Sequence, residues 1–342
     1  MLAEPDFDLP FDPGLAHSTR LVIMILNIMI TILIRRRLAA LMTALLLLIV
    51  VACGGTDEES ESTSVVVTTS IWGDVVEVVL GSAPDVLIPR GVDAHEFQPS
   101  SAQIADLVGA DLIVANGLGL EEGLLGALES AKQEGAVVLY LADLVEPIPF
   151  QENDLEADEA DHEQGSLDPH VWFDPDRVAM AANAIANALL QIDPNGDYLE
   201  RATDYQDELE SAHTEITRLL TGVTDRELVT NHEALGYFAD KYDFEVIGVV
   251  IPGGSSLGDP SSADLAELVA TIREHEVRAV FAETTQATAL AGTVAAEVGA
   301  EVAVVQLHTE SLAESGEAST LIGMLLENAR LIAEALVSDP LP

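Results

Sequence analysis

Three histidines share a context that could form one site, and two of them, His95 and His232, stand where short strands are predicted to end. His95 lies in RGVDAHEFQPS, His170 in LDPHVWFDP and His232 in VTNHEALGYFADKY. Histidine is the commonest metal ligand, and open α/β sheets bind ligands beyond the carboxyl ends of their strands. A cleft between two such sheets would bring the three rings together around a metal. The alternative is a hydrogen-bonded structural role for each, since none shows a local zinc spacing such as HExxH.

Four of the other histidines have weaker claims on such a site. His17 precedes the predicted mature chain, and His213 and His275 lie in charged helical stretches where solvent contact is expected. His162 belongs to a loop, residues 151–163, that also carries seven carboxylates. This loop either gathers cations or is simply a solvated acidic loop.

The elements that must position these residues alternate between strands and helices. Short β-branched or apolar runs that predict strands occupy residues 65–70, 85–91, 111–117, 136–144, 227–232, 245–250, 277–283 and 302–308. Helical spacing fills most of the intervals. One stretch from residue 197 predicts a helix of about 25 residues, which at about 1.5 Å per residue would be close to 40 Å long. Asp174-Pro175 is typical of a helix N-terminus. This order predicts an α/β lobe with a mainly parallel sheet, a long helix and a second α/β lobe.

Composition excludes several classes of function. The 342 residues include 59 acidic and 14 basic side chains, for a formal net charge of −45. Such a chain cannot neutralise a phosphate backbone, so no nucleic acid partner is expected. The sequence contains no GxxxxGK[ST] phosphate loop. A zinc hydrolase would need an open coordination position beside a general base, and we predict that the chain is not an enzyme.

The single cysteine, Cys53, ends an apolar run that follows the basic residues 35–37. A basic segment, a short apolar segment and small residues are typical of a signal peptide, and VVAC resembles a bacterial lipoprotein signal. We therefore predict a signal region at 1–52, a lipidated Cys53 and a flexible tether to residue 64. Two acyl chains anchor stably; the alternative is an uncleaved membrane helix. We further hypothesise that translation starts near Met29, so that residues 1–28 precede the true start.

Several segments together resemble one known family. They are, in chain order, DAHEFQPS, ADLIVANGLGLE, DPHVWFDP, TNHEALGYFADKYDFEVIG, DPSSADLAELVATIREHEVRAVFAE and LHTESLAESGEASTLIGMLLENARLIAEAL. The chain from about residue 64 to 338 is similar to the metal-specific solute-binding lipoproteins of zinc and manganese ABC transporters.

The resemblance implies a fold and a ligand set. It implies two Rossmann-like α/β lobes, 65–195 and 223–342, joined by a long rigid helix at 196–222, with one metal in the cleft between them. The implied ligands are His95, His170, His232 and, where relatives usually carry an aspartate, Glu310. His308 and water are the alternatives to Glu310, because His308 would face the same side if its strand continued. Asp168, Glu283 and His308 are the residues expected to contact the ligand side chains without binding the metal themselves.

The implied function is extracytoplasmic binding of one divalent metal per chain and its delivery to an ABC permease with a separate ATPase subunit. Three imidazoles and one carboxylate suit Zn²⁺, whereas manganese-type relatives carry a carboxylate where this chain has His232. The alternatives are a manganese- or iron-specific protein of the same family and a metal-binding surface adhesin. We expect a monomer that is held at the outer face of the cell membrane by the lipid on Cys53, with an affinity that falls near the usual imidazole pKa of about 6.5.

Overall fold

The computed structural model describes residues 64–150, 167–299 and 302–337, together with Met24 and Met29. The chain divides into two units, 1–62 and 63–342, and the fold below belongs to the second. Apart from these two methionines, the predicted signal region lies outside the described residues, as do the predicted lipidation site Cys53 and the acidic loop 151–163. None of the helices in the described part of the chain combines the length and the apolar character needed to cross a bilayer.

The first lobe is a parallel sheet with helices on its connections. Its elements are β1 Val65–Val67, α1 Ser70–Leu80, β2 Asp85–Val86, α2 Ser101–Val108, β3 Leu112–Ala115, α3 Leu125–Glu134 and β4 Val137–Tyr140. The strands lie in the order β2-β1-β3-β4, and every pair is parallel. Strands β1 and β3 are fully buried, as their runs of Val, Leu and Ile predict for a sheet covered on both faces.

The second lobe repeats this order of strands. Its elements are β5 Glu227–Thr230, α6 Gly236–Tyr242, β6 Glu245–Val249, α7 Ser262–Glu274, β7 Ala279–Glu283, α8 Ala289–Val298, β8 Ala303–Leu307 and α9 Leu321–Leu336. The strands lie in the order β6-β5-β7-β8 and are again parallel. The predicted fold class of two parallel α/β lobes is therefore confirmed. In each sheet the order reverses at the first strand, which is where such folds place their ligands.

Two long helices connect the sheets along the chain. They are α4 Pro175–Ile192 and α5 Tyr198–Leu220. The second has 23 residues and buries one side, including Tyr205, Leu209 and Ile216. The spacing of these residues at three to four positions is that of an amphipathic helix. This is the long helix that the sequence predicts.

Several strands are shorter than the sequence pattern suggests. The run 65–70 stops being a strand at Val67, because the Thr69 side chain accepts a hydrogen bond from Trp72 N and starts α1. The run 85–91 is a strand only at Asp85–Val86. In the second lobe β8 ends at Leu307, so His308 does not continue the strand and that expectation is wrong.

One apolar core runs through both lobes. The buried residues of β1, β3, α4 and α5 belong to the same packed cluster as Ala279, Phe281 and Leu307 of the second sheet. Val280 and Ala282 point to the opposite face and pack in a separate cluster with α7 and α8, as the alternation of side chains along a strand requires. The second sheet is thus attached to the first lobe by packing and not only by the chain connection. Wide separation of the lobes would expose this core.

We expect the start of α4 to depend on Asp174. Its side chain accepts a hydrogen bond from Asp176 N at 3.0 Å, and Pro175 is the first helical residue, which confirms the predicted helix N-terminus. Asp174→Ala should lower the free energy of unfolding, as measured by urea unfolding, by about 1 to 2 kcal/mol or more, because it removes the cap together with the ion pairs of Asp174 with Arg177 and Lys241. The control is Asp197→Ala at the start of α5, where the side chain makes no capping bond. That variant should lose about 0.5 kcal/mol, from the helix dipole alone. Equal losses in the two variants would contradict the capping role.

Candidate metal centre

Four side chains from loops of the two lobes lie close together in the cleft. They are His95, His170, His232 and Glu310, whose donor atoms all lie within 4.8 Å of one another. All four residues are buried. The structure therefore brings together the complete ligand set that the family resemblance implies.

The carboxylate of Glu310 lies at the centre of the group. Its Oε1 is 3.4 Å from His170 Nε2 and 3.6 Å from His232 Nε2, and its Oε2 is 3.9 Å from His95 Nε2. The two nitrogens His170 Nε2 and His232 Nε2 are 3.2 Å apart. No described residue hydrogen-bonds to either oxygen of Glu310. Buried polar atoms are nearly always satisfied, so the unsatisfied oxygens indicate a place for a cation.

Two of the histidines lie in loops that follow strands, and His170 lies in a loop just before the turn Val171–Phe173. His232 follows β5 after one residue, and His95 lies in a turn where its backbone N–H donates to the Asp93 carboxylate at 2.9 Å. The loop of His170 is fixed to the first lobe, because the Asn116 amide at the end of β3 donates to the Pro169 carbonyl at 3.0 Å. The two sheets thus present their carboxyl-end loops to the same cleft.

Carboxylates hold the outer nitrogens of two of the rings. His170 Nδ1 is 2.7 Å from Asp168 Oδ1, and His232 Nδ1 is 2.5 Å from Glu283 Oε1. In metal sites such a partner fixes the tautomer and turns the other nitrogen toward the ion. Asp168 and Glu283, both singled out in the sequence, are therefore in the right place to orient Nε2 toward Glu310.

His308 does not join the group. It is half-buried, its Nδ1 lies 3.2 Å from Thr284 Oγ1, and its backbone N–H donates to Asn328 Oδ1. The group of potential ligands found among the described residues contains Glu310 and not His308. The strand β8 ends at Leu307, one residue before His308. The alternation of side chains along a strand, which would place residues 308 and 310 on the same face, therefore does not apply to them.

The Glu310 segment is bonded to the first lobe although it follows the last strand of the second. The Trp172 indole donates to the Thr309 carbonyl at 3.1 Å, and Gly91 N donates to Ser311 Oγ at 2.8 Å. Ser70 Oγ accepts from Leu312 N at 3.1 Å. The backbone is thus fixed on both sides of the carboxylate.

The Arg90 guanidinium extends this attachment. It donates to the carbonyls of Ala313 and Ser319 at 2.9 and 2.6 Å. These bonds join residues more than 220 positions apart, and nothing in the local sequence pattern indicates them.

The charges of the group shift the pKa values of its members. Burial lowers the pKa of His170, but the Glu310 and Asp168 carboxylates outweigh it and raise the value to about 10. Burial also opposes the charged form of His232, yet Glu283 and Glu310 raise its pKa above the usual range. For His95 burial prevails and lowers the pKa. Burial raises the pKa of Glu310, but the surrounding imidazoles lower it to about 2.

Comparisons with known proteins agree with this arrangement. A family model described as zinc-uptake complex component A, periplasmic (ZnuA), matches residues 65–335. The manganese-binding lipoprotein MntA of Halalkalibacterium halodurans is 28% identical over 274 residues, covering 78% of this chain and 86% of that protein. The high-affinity zinc uptake system protein ZnuA of Bacillus subtilis is 28% identical over 258 residues, 74% of this chain and 80% of that protein.

A solved structure shows the same fold. The periplasmic zinc-binding protein TroA of Treponema pallidum superposes with a TM-score of 0.70 at 27% identity, covering 80% of this chain and 98% of that one. The likeness extends over both lobes and so includes the cleft.

We expect His170 to remain protonated at pH 8 in the metal-free protein, because Glu310 and Asp168 raise its pKa to about 10. Glu310→Gln removes one of these charges and should lower the pKa of His170 by at least about one unit, as expected for an opposite charge within 4 Å. Histidine NMR titrations of the two proteins measure the change. The internal control is His275, whose pKa is raised by its hydrogen bond with Glu227 and should not change. An unchanged pKa of His170 would contradict the assigned cause.

Proposed function

This chain belongs to the family of zinc-uptake complex component A proteins, and we propose that it binds Zn²⁺ outside the cytoplasm and delivers it to an ABC-type permease. The family match covers residues 65–335, which is most of the chain. Since this is a family of solute-binding proteins, the chain is a binding protein and not an enzyme. The metal ion is then its cargo, with one ion per monomer.

The observation that carries the proposal is the spacing of the four donors. Two nitrogens or oxygens that each lie 2.0 to 2.2 Å from a tetrahedral zinc are about 3.3 to 3.6 Å apart. His170 Nε2 and His232 Nε2 are 3.2 Å apart, and Glu310 Oε1 lies 3.4 and 3.6 Å from them. These three atoms are therefore already near the separations that a zinc ion imposes. His95 Nε2 faces the other oxygen of Glu310, Oε2, at 3.9 Å, and its donor atom lies within 4.8 Å of the other three.

The types of donor support zinc over manganese. Three imidazole nitrogens and one carboxylate make a set that Zn²⁺ accepts, whereas Mn²⁺ prefers harder oxygen ligands. His232 supplies the third nitrogen, and its Nδ1 partner Glu283 stabilises that arrangement. Manganese remains the second candidate, because the relative MntA is named a manganese-binding lipoprotein.

Delivery and anchoring complete the proposal. In it residues 1–52 are the signal region, Cys53 carries the lipid, and residues to 64 tether the lobes to the outer face of the membrane. A relative is named a lipoprotein and the family is described as periplasmic, which supports this location. A membrane permease then takes the ion, and a separate subunit hydrolyses ATP, since this sequence has no phosphate loop.

We expect the full chain, purified in detergent and freed of metal, to bind one Zn²⁺ tightly and to retain it against an excess of Mn²⁺. Elemental analysis and competitive titration measure this. His95→Ala and His232→Ala should each lower the zinc affinity more than about a hundredfold, since loss of an outer partner alone costs ten- to a hundredfold. The control is His275→Ala, an exposed histidine paired with Glu227, which should bind as the wild type does. Preferential retention of Mn²⁺ would favour the second candidate, and the absence of stoichiometric metal would overturn the proposal.

We also expect zinc binding to release protons. A ligating imidazole must be neutral, and His170, with a pKa of about 10, carries a proton at pH 7.5 in the metal-free protein. Calorimetry in two buffers of different ionisation enthalpy should show at least one proton released per ion. The apparent affinity should therefore begin to fall at a higher pH than the usual imidazole pKa suggests, by about tenfold for each unit that the pH drops below 9. Asp168→Asn weakens the charge that holds this proton and should reduce the release. Binding without proton release would contradict the assigned charge state of His170.

A further inference from the structure

One of the three histidines lacks the outer partner that the other two have. Asp168 and Glu283 hold Nδ1 of His170 and His232 at hydrogen-bond distance. In contrast, no described residue hydrogen-bonds to either ring nitrogen of His95, and both nitrogens are shielded from solvent. His95 Nε2 faces Glu310, and the carboxylate beside its Nδ1 is that of Glu122, with Oε1 at 3.7 Å.

Other carboxylates close to His95 are already engaged. Asp93 Oδ1 accepts from the backbone N–H of His95, and its Oδ2 accepts from the Gln286 amide at 2.9 Å. The same amide donates to Glu96 Oε1 at 3.0 Å. Glu122 is thus the carboxylate that lies beside Nδ1 of His95, at 3.7 Å, whereas Asp168 and Glu283 are already at hydrogen-bond distance from the other two rings.

The loop that carries Glu122 is built to lie against the His95 loop. Its neighbour Glu121 is buried and accepts from Thr68 Oγ1 at 2.6 Å and from Asn116 N at 2.7 Å, which fixes the loop to the ends of β1 and β3. On the other side stands Gly123, where a Cβ would lie 2.1 Å from the Phe97 carbonyl oxygen. Only glycine permits this approach, and Phe97 is two residues from His95.

Glu122 is held from the second lobe as well. Ser255 Oγ donates to Glu122 Oε1 at 2.7 Å, and Ser255 lies in the loop between β6 and α7. Next to it is Gly254, where a Cβ would lie 2.0 Å from the Phe150 ring of the first lobe. A second glycine therefore lets the two lobes meet at the point where Ser255 reaches Glu122.

We propose that Glu122 is the positioning residue for His95: when a cation binds Nε2, the Nδ1–H donates to Glu122, which Ser255 holds from the opposite lobe. The proposal rests on the proposed function, because it concerns the same ion. It gives each of the three imidazoles a carboxylate partner, the arrangement that raises ligand basicity and fixes the ring. It also joins the ion to the contact between the lobes through the chain His95, Glu122, Ser255.

The first test is the zinc affinity and dissociation rate of the full chain in detergent, measured by competition with a chelator. Glu122→Ala should raise the dissociation constant about tenfold, the lower end of the range for such partners, mainly through faster dissociation. Ser255→Ala should have a smaller effect of about threefold, since Glu122 remains. Because Ser255 acts through Glu122, the double variant should bind no more weakly than Glu122→Ala alone.

The matched control is Glu96→Ala, which removes an exposed carboxylate of the same cleft rim that contacts Gln286 and not His95. It should bind zinc within about twofold of the wild type. Equal losses of zinc affinity in Glu96→Ala and Glu122→Ala would mean that Glu122 acts only through its negative charge near the cleft, and would overturn the proposal. Additive effects of Glu122→Ala and Ser255→Ala would also overturn it. Thermal unfolding of the metal-free variants verifies that each is folded.

The second test detects the proposed hydrogen bond directly. In the Co²⁺-loaded protein, ring N–H protons of ligand histidines give paramagnetically shifted NMR signals that persist when a partner protects them from exchange with water. We expect three such signals in the wild type and in Glu96→Ala, and loss of the His95 signal in Glu122→Ala. Retention of all three signals in Glu122→Ala would overturn the proposal while leaving the proposed function intact. A wild-type chain that binds no ion would overturn both.

Discussion

The buried carboxylate of Glu310 imposes the constraint on which the site depends. A buried charge is costly unless it is paired, and both oxygens of Glu310 lack a hydrogen-bond donor within the described part of the chain. What surrounds them instead is three imidazole nitrogens at 3.4 to 3.9 Å. The imidazoles can neutralise this carboxylate in two ways. A protonated imidazole can pair with it, or the neutral imidazoles and the carboxylate can bind a cation together. The loops of both sheets bring the imidazoles close enough to Glu310 for either a proton or a cation to neutralise its charge.

The way the lobes are joined restricts how the site can open. Glu310 comes after the second sheet in the chain, yet Trp172, Ser70 and Arg90 bond its segment to the first lobe. The apolar core that contains β1 and β3 also includes one face of the second sheet. Rigid separation of the lobes would break these contacts together. Release of the ion is therefore expected to require a local shift of loops, such as those that carry His232 and Ser255, rather than a wide hinge motion.

The sequence predicts the fold better than it predicts the contacts within the site. The alternation of strands and helices predicts two parallel α/β lobes. The positions of His95 and His232 after strands indicate that they face the ligand cleft. Glu310 could be named only through the family resemblance, since a single glutamate after a strand carries no pattern of its own. The strand before His308 ends one residue earlier than its pattern predicts, because strand length depends on tertiary pairing, which local propensity does not determine. The role proposed for Glu122 could not be predicted from the sequence, because it depends on two loops that meet through Gly123, a close approach that no spacing in the sequence indicates.

Charge balance links the metal-free and metal-bound forms of the site. Glu310, Asp168 and Glu283 all lie at or next to the imidazoles, so the buried group carries several carboxylates whether or not an ion is present. In the metal-free protein these carboxylates raise the pKa of His170 and His232, and protons supply the compensating charge. A divalent cation supplies it in the bound form and displaces those protons. The same carboxylates are thus neutralised in part by protons in one form and by the cation in the other. The apolar core shared by the two lobes is expected to limit the movement that accompanies this exchange of protons for an ion.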